Sequence, residues 1–86
     1  MSTVLIFHEV DDVDHWVSSP KREEIFAPMG VSFKTFIDPS GSNRVGLVGE
    51  VPDLEALQTF LGTDVAAEAM THDGVRPETI QMLTSS

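Results

Sequence analysis

Three histidines and a cluster of acids are the residues of this chain best suited to chemistry. The segment "VLIFHEVDDVDHWV" places His8 at the end of an apolar run and His15 beside Trp16. An imidazole changes charge near neutral pH, so a histidine at the rim of an apolar pocket can take a proton from an acidic carbon or a phenol. His8 is therefore the candidate catalytic residue, as a general base. The alternative is that His8 hydrogen-bonds the backbone or the acidic turn and only packs.

The other two histidines have simpler interpretations. His15 lies one helical turn after Asp11 and Asp12, where a helix surface would place it in solvent. His72 precedes "DGV" at a predicted helix end, where a partly positive imidazole is favoured by the helix dipole. We expect both to be structural.

The sequence offers no familiar metal or nucleophile motif. The acids Glu9, Asp11, Asp12 and Asp14 occur without a His-x-x-x-His pair or a calcium loop, so we predict no metal site. Cysteine is absent, and no serine stands in a Gly-x-Ser-x-Gly turn. The glycines of "GLVG" lie within a predicted strand, which does not fit a phosphate loop. We therefore expect any reaction to proceed without a cofactor.

Aromatic side chains are the candidates for binding a substrate. An apolar wall with an indole N–H as donor suits an aromatic ligand. The predicted substrate-binding residues are Trp16, Phe26, Phe33 and Phe60. Most aromatic residues of so short a chain must also serve as core.

Composition restricts the partners and the compartment. A net charge of −9 repels phosphate backbones and anionic lipid surfaces, so neither nucleic acid nor a membrane is expected as a partner. The N-terminal apolar run is too short for a signal peptide, and no stretch is long enough to span a membrane. We expect a cytoplasmic, acidic protein of 86 residues without disulfides.

The N-terminal half predicts a strand and a broken helix. Residues 3–10 are apolar on both faces, as in a strand covered on two sides. Asp11, Asp12 or Asp14 can cap a helix that carries Trp16. The sequence "SSP" should interrupt it, with Ser19 as N-cap and Pro20 as the first residue of a second helix that runs to Ala27.

The remaining elements are a hairpin, a second broken helix and a last strand. "VSFKTFID" and "RVGLVGEV" are joined by the turn-rich "DPSGSN", and Gly46 and Gly49 indicate a bulge or a close approach to the backbone. Asp53 caps a helix that Gly62 breaks, Thr63 or Asp64 recaps it, and it ends at Gly74. "ETIQML" is predicted as the final strand.

The order βαββαβ predicts an α+β, ferredoxin-like fold, with residues 1–86 as a single domain. Such a fold has a four-stranded antiparallel sheet with the helices on one face. The other face would carry either Val4, Ile6 and Val10 or Leu5 and Phe7, with phenylalanines from the second strand. Either set exposes more apolar surface than a monomer normally tolerates. We therefore expect a homodimer formed through the sheet faces, a dimeric α/β barrel.

Several segments resemble those of a known group of proteins. "VLIFHEVDDVDHWV", "FIDPSGSNRVGLVGEVPDLEALQTFL" and "AAEAMTHDGV" are similar to segments of the short dimeric α/β-barrel proteins grouped with antibiotic-biosynthesis monooxygenases and small polyketide-cyclase-like proteins. The resemblance implies a homodimer with a small apolar pocket between sheet and helices in each subunit. It also implies chemistry without metal or flavin, such as ring closure, isomerisation or oxidation of phenols.

These observations lead to three functional hypotheses. The first is a homodimer that performs cofactor-independent cyclisation or isomerisation of an apolar aromatic or polyketide-like molecule, with His8 as base. The second is a cofactor-free monooxygenase, which needs the same base. The third is a non-catalytic, ligand-binding or stress-related dimer. The chain has no tyrosine, so the His–Tyr mechanism of some cyclase-like relatives is not available, and a partner of His8 must be a carboxylate, another histidine or water.

Overall fold

A computed structural model of the chain describes residues 2–85 and confirms the α+β, ferredoxin-like class. The strands are β1 (Ser2–Glu9), β2 (Ser32–Ile37), β3 (Arg44–Val51) and β4 (Gln81–Thr84), and the helices are α1 (Val13–Ser18), α2 (Lys21–Phe26), α3 (Leu54–Leu61) and α4 (Asp64–Asp73). Short 3-10 turns follow α2 and precede β4. The sheet has the order β2-β3-β1-β4, and every neighbouring pair is antiparallel.

The helix ends follow the predicted capping chemistry with one shift. The side chains of Asp12, Asp53 and Thr63 accept backbone N–H bonds at the starts of α1, α3 and α4. The predicted interruption between α1 and α2 is confirmed, but Pro20 takes the N-cap position that was predicted for Ser19. The Ser19 hydroxyl accepts the N–H of Lys21 and also donates to Asp73, which holds Ser19 just outside the helix.

Each helix found within residues 2–85 is too short or too polar to cross a membrane.

The last strand begins later than predicted. Pro77–Thr79 forms a 3-10 turn, so Glu78 to Ile80 are not part of the strand. The Thr79 hydroxyl accepts the backbone N–H of Glu9 and donates to the carbonyl of Arg76. These bonds stabilise the turn locally, and pairing with β1 starts only at Gln81.

The structure shows which face of β1 is buried under the helices and which is not. Val4, Ile6, His8 and Val10 are buried with Trp16, Phe26 and Leu57 in the core under the helices. The opposite face is not covered by the helices: Phe7 is 40% exposed, and Phe36, level with it across Gly46, is 41% exposed. We call this second surface the open sheet face; its apolar residues are Leu5, Phe7, Phe36, Val48 and Leu83.

Gly49 marks a close approach and not a bulge. The register between β1, β3 and β2 is continuous through both glycines of β3. A Cβ atom on Gly49 would lie 2.6 Å from the Ser32 carbonyl oxygen and 2.8 Å from the Phe33 ring. Gly49 therefore lets the Phe33 ring pack across β3, against Phe26 in the core.

Candidate active site

His8 lies near the end of β1 with its side chain on the helix-covered face. Only 6% of the residue is exposed, and its Nδ1 atom is buried without a hydrogen-bond partner among residues 2–85. Burial lowers the pKa of His8 below its ordinary value of 6.5; the backbone of Glu9 opposes this effect in part, and the positive charge of Arg22 adds to it. At neutral pH the imidazole is therefore uncharged and has a lone pair available to accept a proton.

Trp16 separates His8 from Arg22 in a three-residue stack. The His8 and Trp16 rings meet edge to face, with centroids 5.6 Å apart and an angle of 80° between the planes. The guanidinium carbon of Arg22 lies 4.1 Å from the centroid of the Trp16 ring, a cation–π distance. Trp16 itself is 1% exposed, so the indole fills the space between the two polar side chains and keeps water out of it.

Asp73 fixes Arg22 from the end of α4. Its carboxylate is buried; one oxygen lies 3.7 Å from Nη1 of Arg22 and the other accepts the Ser19 hydroxyl at 2.5 Å. Arg22 also donates to the Trp16 carbonyl at 2.9 Å. Burial lowers the pKa of Arg22, and the negative charge of Asp73 opposes only part of that effect. The ion pair therefore holds the guanidinium in place over the indole.

Sequence reasoning missed both Arg22 and Asp73. Arg22 follows Trp16 by six residues across a helix break, and Asp73 is 51 positions further on, so neither stands in a motif with His8. A signal was nevertheless present, because an acid in the last turn of a helix opposes the helix dipole and needs a positive partner.

A cleft of about 550 Å³ lies between α2 and β2. It brings together the predicted binding residues Phe26 and Phe33, whose ring centroids are 5.0 Å apart. Phe60 contacts Phe26 at 5.8 Å from within the core and, like Trp16, does not line the cleft. Arg22 forms part of the wall, together with Val17, Ser19, Glu23 and Thr35.

A second concavity, of about 750 Å³, lies on the open sheet face at the end where His8 is located. Phe7, Phe36 and Ile37 provide apolar wall, and Arg44 and Glu9 provide charge. His8 is among the lining residues, although strand alternation directs its side chain to the opposite face of the sheet. Gly46 lies between Phe7 and Phe36 and deepens the surface there, because it has no side chain.

His15 and His72 are close in space although 57 residues apart in sequence. His15 is exposed, as predicted, and its Nε2 lies 2.8 Å from the carbonyl oxygen of His72. His72 is exposed in the last turn of α4, and its Nδ1 lies 2.8 Å from Oδ1 of Asp73. Together with Asp73, these histidines form a donor set whose chemistry can suit a metal ion.

Comparison with known proteins identifies the fold of this chain but not its function. The sequence matches no protein-family model and no curated protein. Among solved structures, one described as an antibiotic biosynthesis monooxygenase is similar, with a TM-score of 0.63 and 14% identity over 100% of this chain and 97% of that chain. A second, described as a possible antibiotic biosynthesis monooxygenase from Deinococcus radiodurans, gives a TM-score of 0.59 and 14% identity over 100% and 91%.

A third similar structure is a dimeric protein of unknown function from Bacteroides fragilis with a ferredoxin-like fold. It gives a TM-score of 0.62 at 11% identity and covers 99% of this chain and 94% of that chain. The resemblance predicted from the sequence is thus confirmed for the fold. The chain is similar over its length to structures described as antibiotic biosynthesis monooxygenases and to dimeric, ferredoxin-like proteins of unknown function.

Proposed function

We propose that this protein is a cytoplasmic, single-domain homodimer that binds an apolar aromatic molecule and converts it by cofactor-independent acid–base chemistry, with His8 as the base. The observation that carries the proposal is the neutral, buried His8 imidazole, whose Nδ1 has no hydrogen-bond partner in the part of the chain that the structure describes, residues 2–85. An unpaired buried polar atom costs free energy, so its presence favours a role in which a ligand supplies the missing partner.

Dimerisation follows from the open sheet face. Two copies that pack these faces together would bury Leu5, Phe7, Phe36, Val48 and Leu83, which a monomer leaves partly or largely exposed. The same packing would enclose the 750 Å³ concavity on the open sheet face, which is on the side of the sheet opposite the His8 side chain.

The reaction proposed is the removal of a proton from an acidic carbon or phenol by His8, followed by ring closure or isomerisation of the resulting anion. His8 then returns the proton, so no electrons are exchanged with a cofactor. Burial, and to a smaller extent the positive charge of Arg22, lower the pKa of His8 and so favour the neutral imidazole over the imidazolium formed during the reaction, which makes return of the proton easy. Phe26 and Phe33 are proposed to contact the substrate in the cleft between α2 and β2. Phe60 packs behind Phe26, and Trp16 lies between the cleft residue Arg22 and His8; both are proposed to support the apolar surroundings of the substrate.

A cofactor-free monooxygenase is the second candidate, favoured by the two similar structures that carry that description. It begins with the same deprotonation, after which the phenolate itself reduces O₂. The two candidates separate in one experiment, which supplies an activated polycyclic phenol and follows oxygen consumption and product mass together. Product isomeric with the substrate supports cyclisation or isomerisation, and product heavier by oxygen supports the monooxygenase.

The test of the base is the variant His8→Gln, with His15→Gln as matched control on the exposed side of α1. We expect His8→Gln to lose turnover while His15→Gln keeps it, both remaining folded dimers. If His8→Gln left ligand binding and turnover unchanged, the base would be wrongly assigned. Aromatic ligand binding without turnover in the unsubstituted protein would identify a binding protein.

A further inference from the structure

The contact between α1 and the end of α4 gathers metal-binding atoms that the sequence does not bring together. His15 contributes an imidazole from α1, and His72 and Asp73 contribute an imidazole and a carboxylate from the last turn of α4. One donor atom from each of the three lies within 4.8 Å of the other two. Both histidines are exposed, so an ion can reach them from solvent.

The spacing of the donor atoms indicates which ions would fit. Nδ1 of His72 and Oδ1 of Asp73 are 2.8 Å apart. That distance is a hydrogen bond, so the two atoms are close enough for one ion to replace the proton between them. Imidazole nitrogens with a carboxylate oxygen suit Cu²⁺ or Ni²⁺, which bind such donors more tightly than earlier divalent metals.

Neighbouring groups orient the carboxylate for this role. Arg22 lies 3.7 Å from Oδ2 of Asp73, so the guanidinium engages the oxygen that is not needed for the ion. The Ser19 hydroxyl donates to Oδ1 and fixes the direction of the carboxylate. Outer contacts of this kind hold metal ligands in position. The positive charge of Arg22 opposes binding of a cation at this place. The negative end of α4 favours it, and so does the His72 carbonyl, whose oxygen lies 2.8 Å from Nε2 of His15.

We propose that His15, His72 and Asp73 form a binding site for one Cu²⁺ or Ni²⁺ ion, which ties α1 to the end of α4. On binding, Nε2 of His15 gives up its hydrogen bond to the His72 carbonyl and its proton moves to Nδ1. Nδ1 of His72 likewise gives up its hydrogen bond to Oδ1 of Asp73 and its proton moves to Nε2, so that the ion takes the place of that proton. The remaining positions of the ion face solvent. The site is separate from the His8 imidazole, which is buried and contributes no ligand.

The experiment is a calorimetric titration of tag-free, chelator-treated protein with NiCl₂ and with CuCl₂ at about pH 7.5, since metal affinity depends on pH. We expect one ion per chain. His72→Ala and His15→Ala should each weaken binding by about tenfold or more. His8→Gln is the matched histidine control and should leave the affinity unchanged, even where it abolishes turnover.

Paramagnetic resonance of the Cu²⁺-loaded protein supplies a second measurement. Two imidazole nitrogens should couple to the copper in the unsubstituted protein, and one in His15→Ala. The proposal is overturned if the unsubstituted protein shows no saturable binding, if binding persists unchanged in both alanine variants, or if the copper signal keeps two nitrogens in His15→Ala. Loss of binding in His8→Gln would also overturn it.

Discussion

The His8 imidazole meets the Trp16 indole edge to face, with their centroids 5.6 Å apart, and no hydrogen bond reaches its Nδ1 from residues 2–85. A buried imidazole in this position is held largely by packing. Its protonation is therefore coupled directly to the stability of the fold.

The first prediction concerns stability against pH. Because the folded pKa of His8 is lowered, the unfolded chain binds more protons at this residue below pH 6.5, and stability falls as the pH drops from about 6.5 towards the folded pKa. His8→Gln should lose this part of the pH dependence. Urea unfolding between about pH 5 and pH 8 measures it, since ordinary carboxylates titrate below that window. If the free energy of unfolding changed equally with pH in the unsubstituted protein and in His8→Gln, His8 would titrate as in water.

The second prediction concerns Gly49. Gly49→Ala places a methyl group against the Ser32 carbonyl and the Phe33 ring, and overpacking of this kind should destabilise the fold by about 1 to 3 kcal/mol. Gly46→Ala is the matched control in the same strand, since its Cβ would meet only ordinary contacts, the nearest at 3.5 Å. Unfolding of both variants, measured at one protein concentration, gives the difference between their free energies of unfolding. Similar losses in the two would contradict the packing of Phe33 over Gly49.

The third prediction concerns the buried carboxylate. Asp73→Asn removes the ion pair with Arg22 and weakens the bond from Ser19, which should cost about 2 to 3 kcal/mol. Asp14→Asn on the exposed surface of α1 should change stability by less than about 0.5 kcal/mol. Trp16 is the only tryptophan, so its fluorescence reports both unfolding and any movement of Arg22. An Asp73→Asn protein as stable as Asp14→Asn would contradict the anchoring role.

The fourth prediction concerns the open sheet face. Phe7→Glu places a charge at the centre of the proposed dimer interface and should convert the protein to monomer, as seen by light scattering after size-exclusion chromatography. Val65→Glu replaces an exposed apolar residue of α4 and should leave the dimer intact. A monomeric unsubstituted protein, or a dimer that Phe7→Glu leaves unaffected, would show that this face does not carry the interface.

The sequence predicted the fold better than it predicted the site, for a physical reason. Strand alternation and helix capping depend on near neighbours, so β1, β3, the Asp53 cap and the break before Pro20 could all be found from local patterns. The face on which the His8 side chain lies could not be decided in this way, because residues on both faces of β1 are apolar. The pairing of Arg22 with Asp73, and of His15 with His72, joins residues more than fifty positions apart, and only the packing of α1 and α2 against α4 reveals it.

The late start of β4 has a related explanation. Residues 78–80 have side chains that suit a strand, but Pro77 cannot donate a backbone hydrogen bond and Thr79 satisfies Glu9 and Arg76 with its hydroxyl. The local turn therefore competes successfully with extension of the strand. A short run of six residues with a proline before it does not contain enough information to decide between them.

The sheet order also determines when the chain can fold during synthesis. The central strand β1 is made first, yet its two neighbours are β3 and β4, which are made later, one of them at the far end of the described chain. One edge of β1 can pair once β3 has been made, but the other stays unpaired until residues 81–84 have been made, and its apolar residues remain open to chaperones or to other nascent chains. Chains truncated before β4 should therefore aggregate.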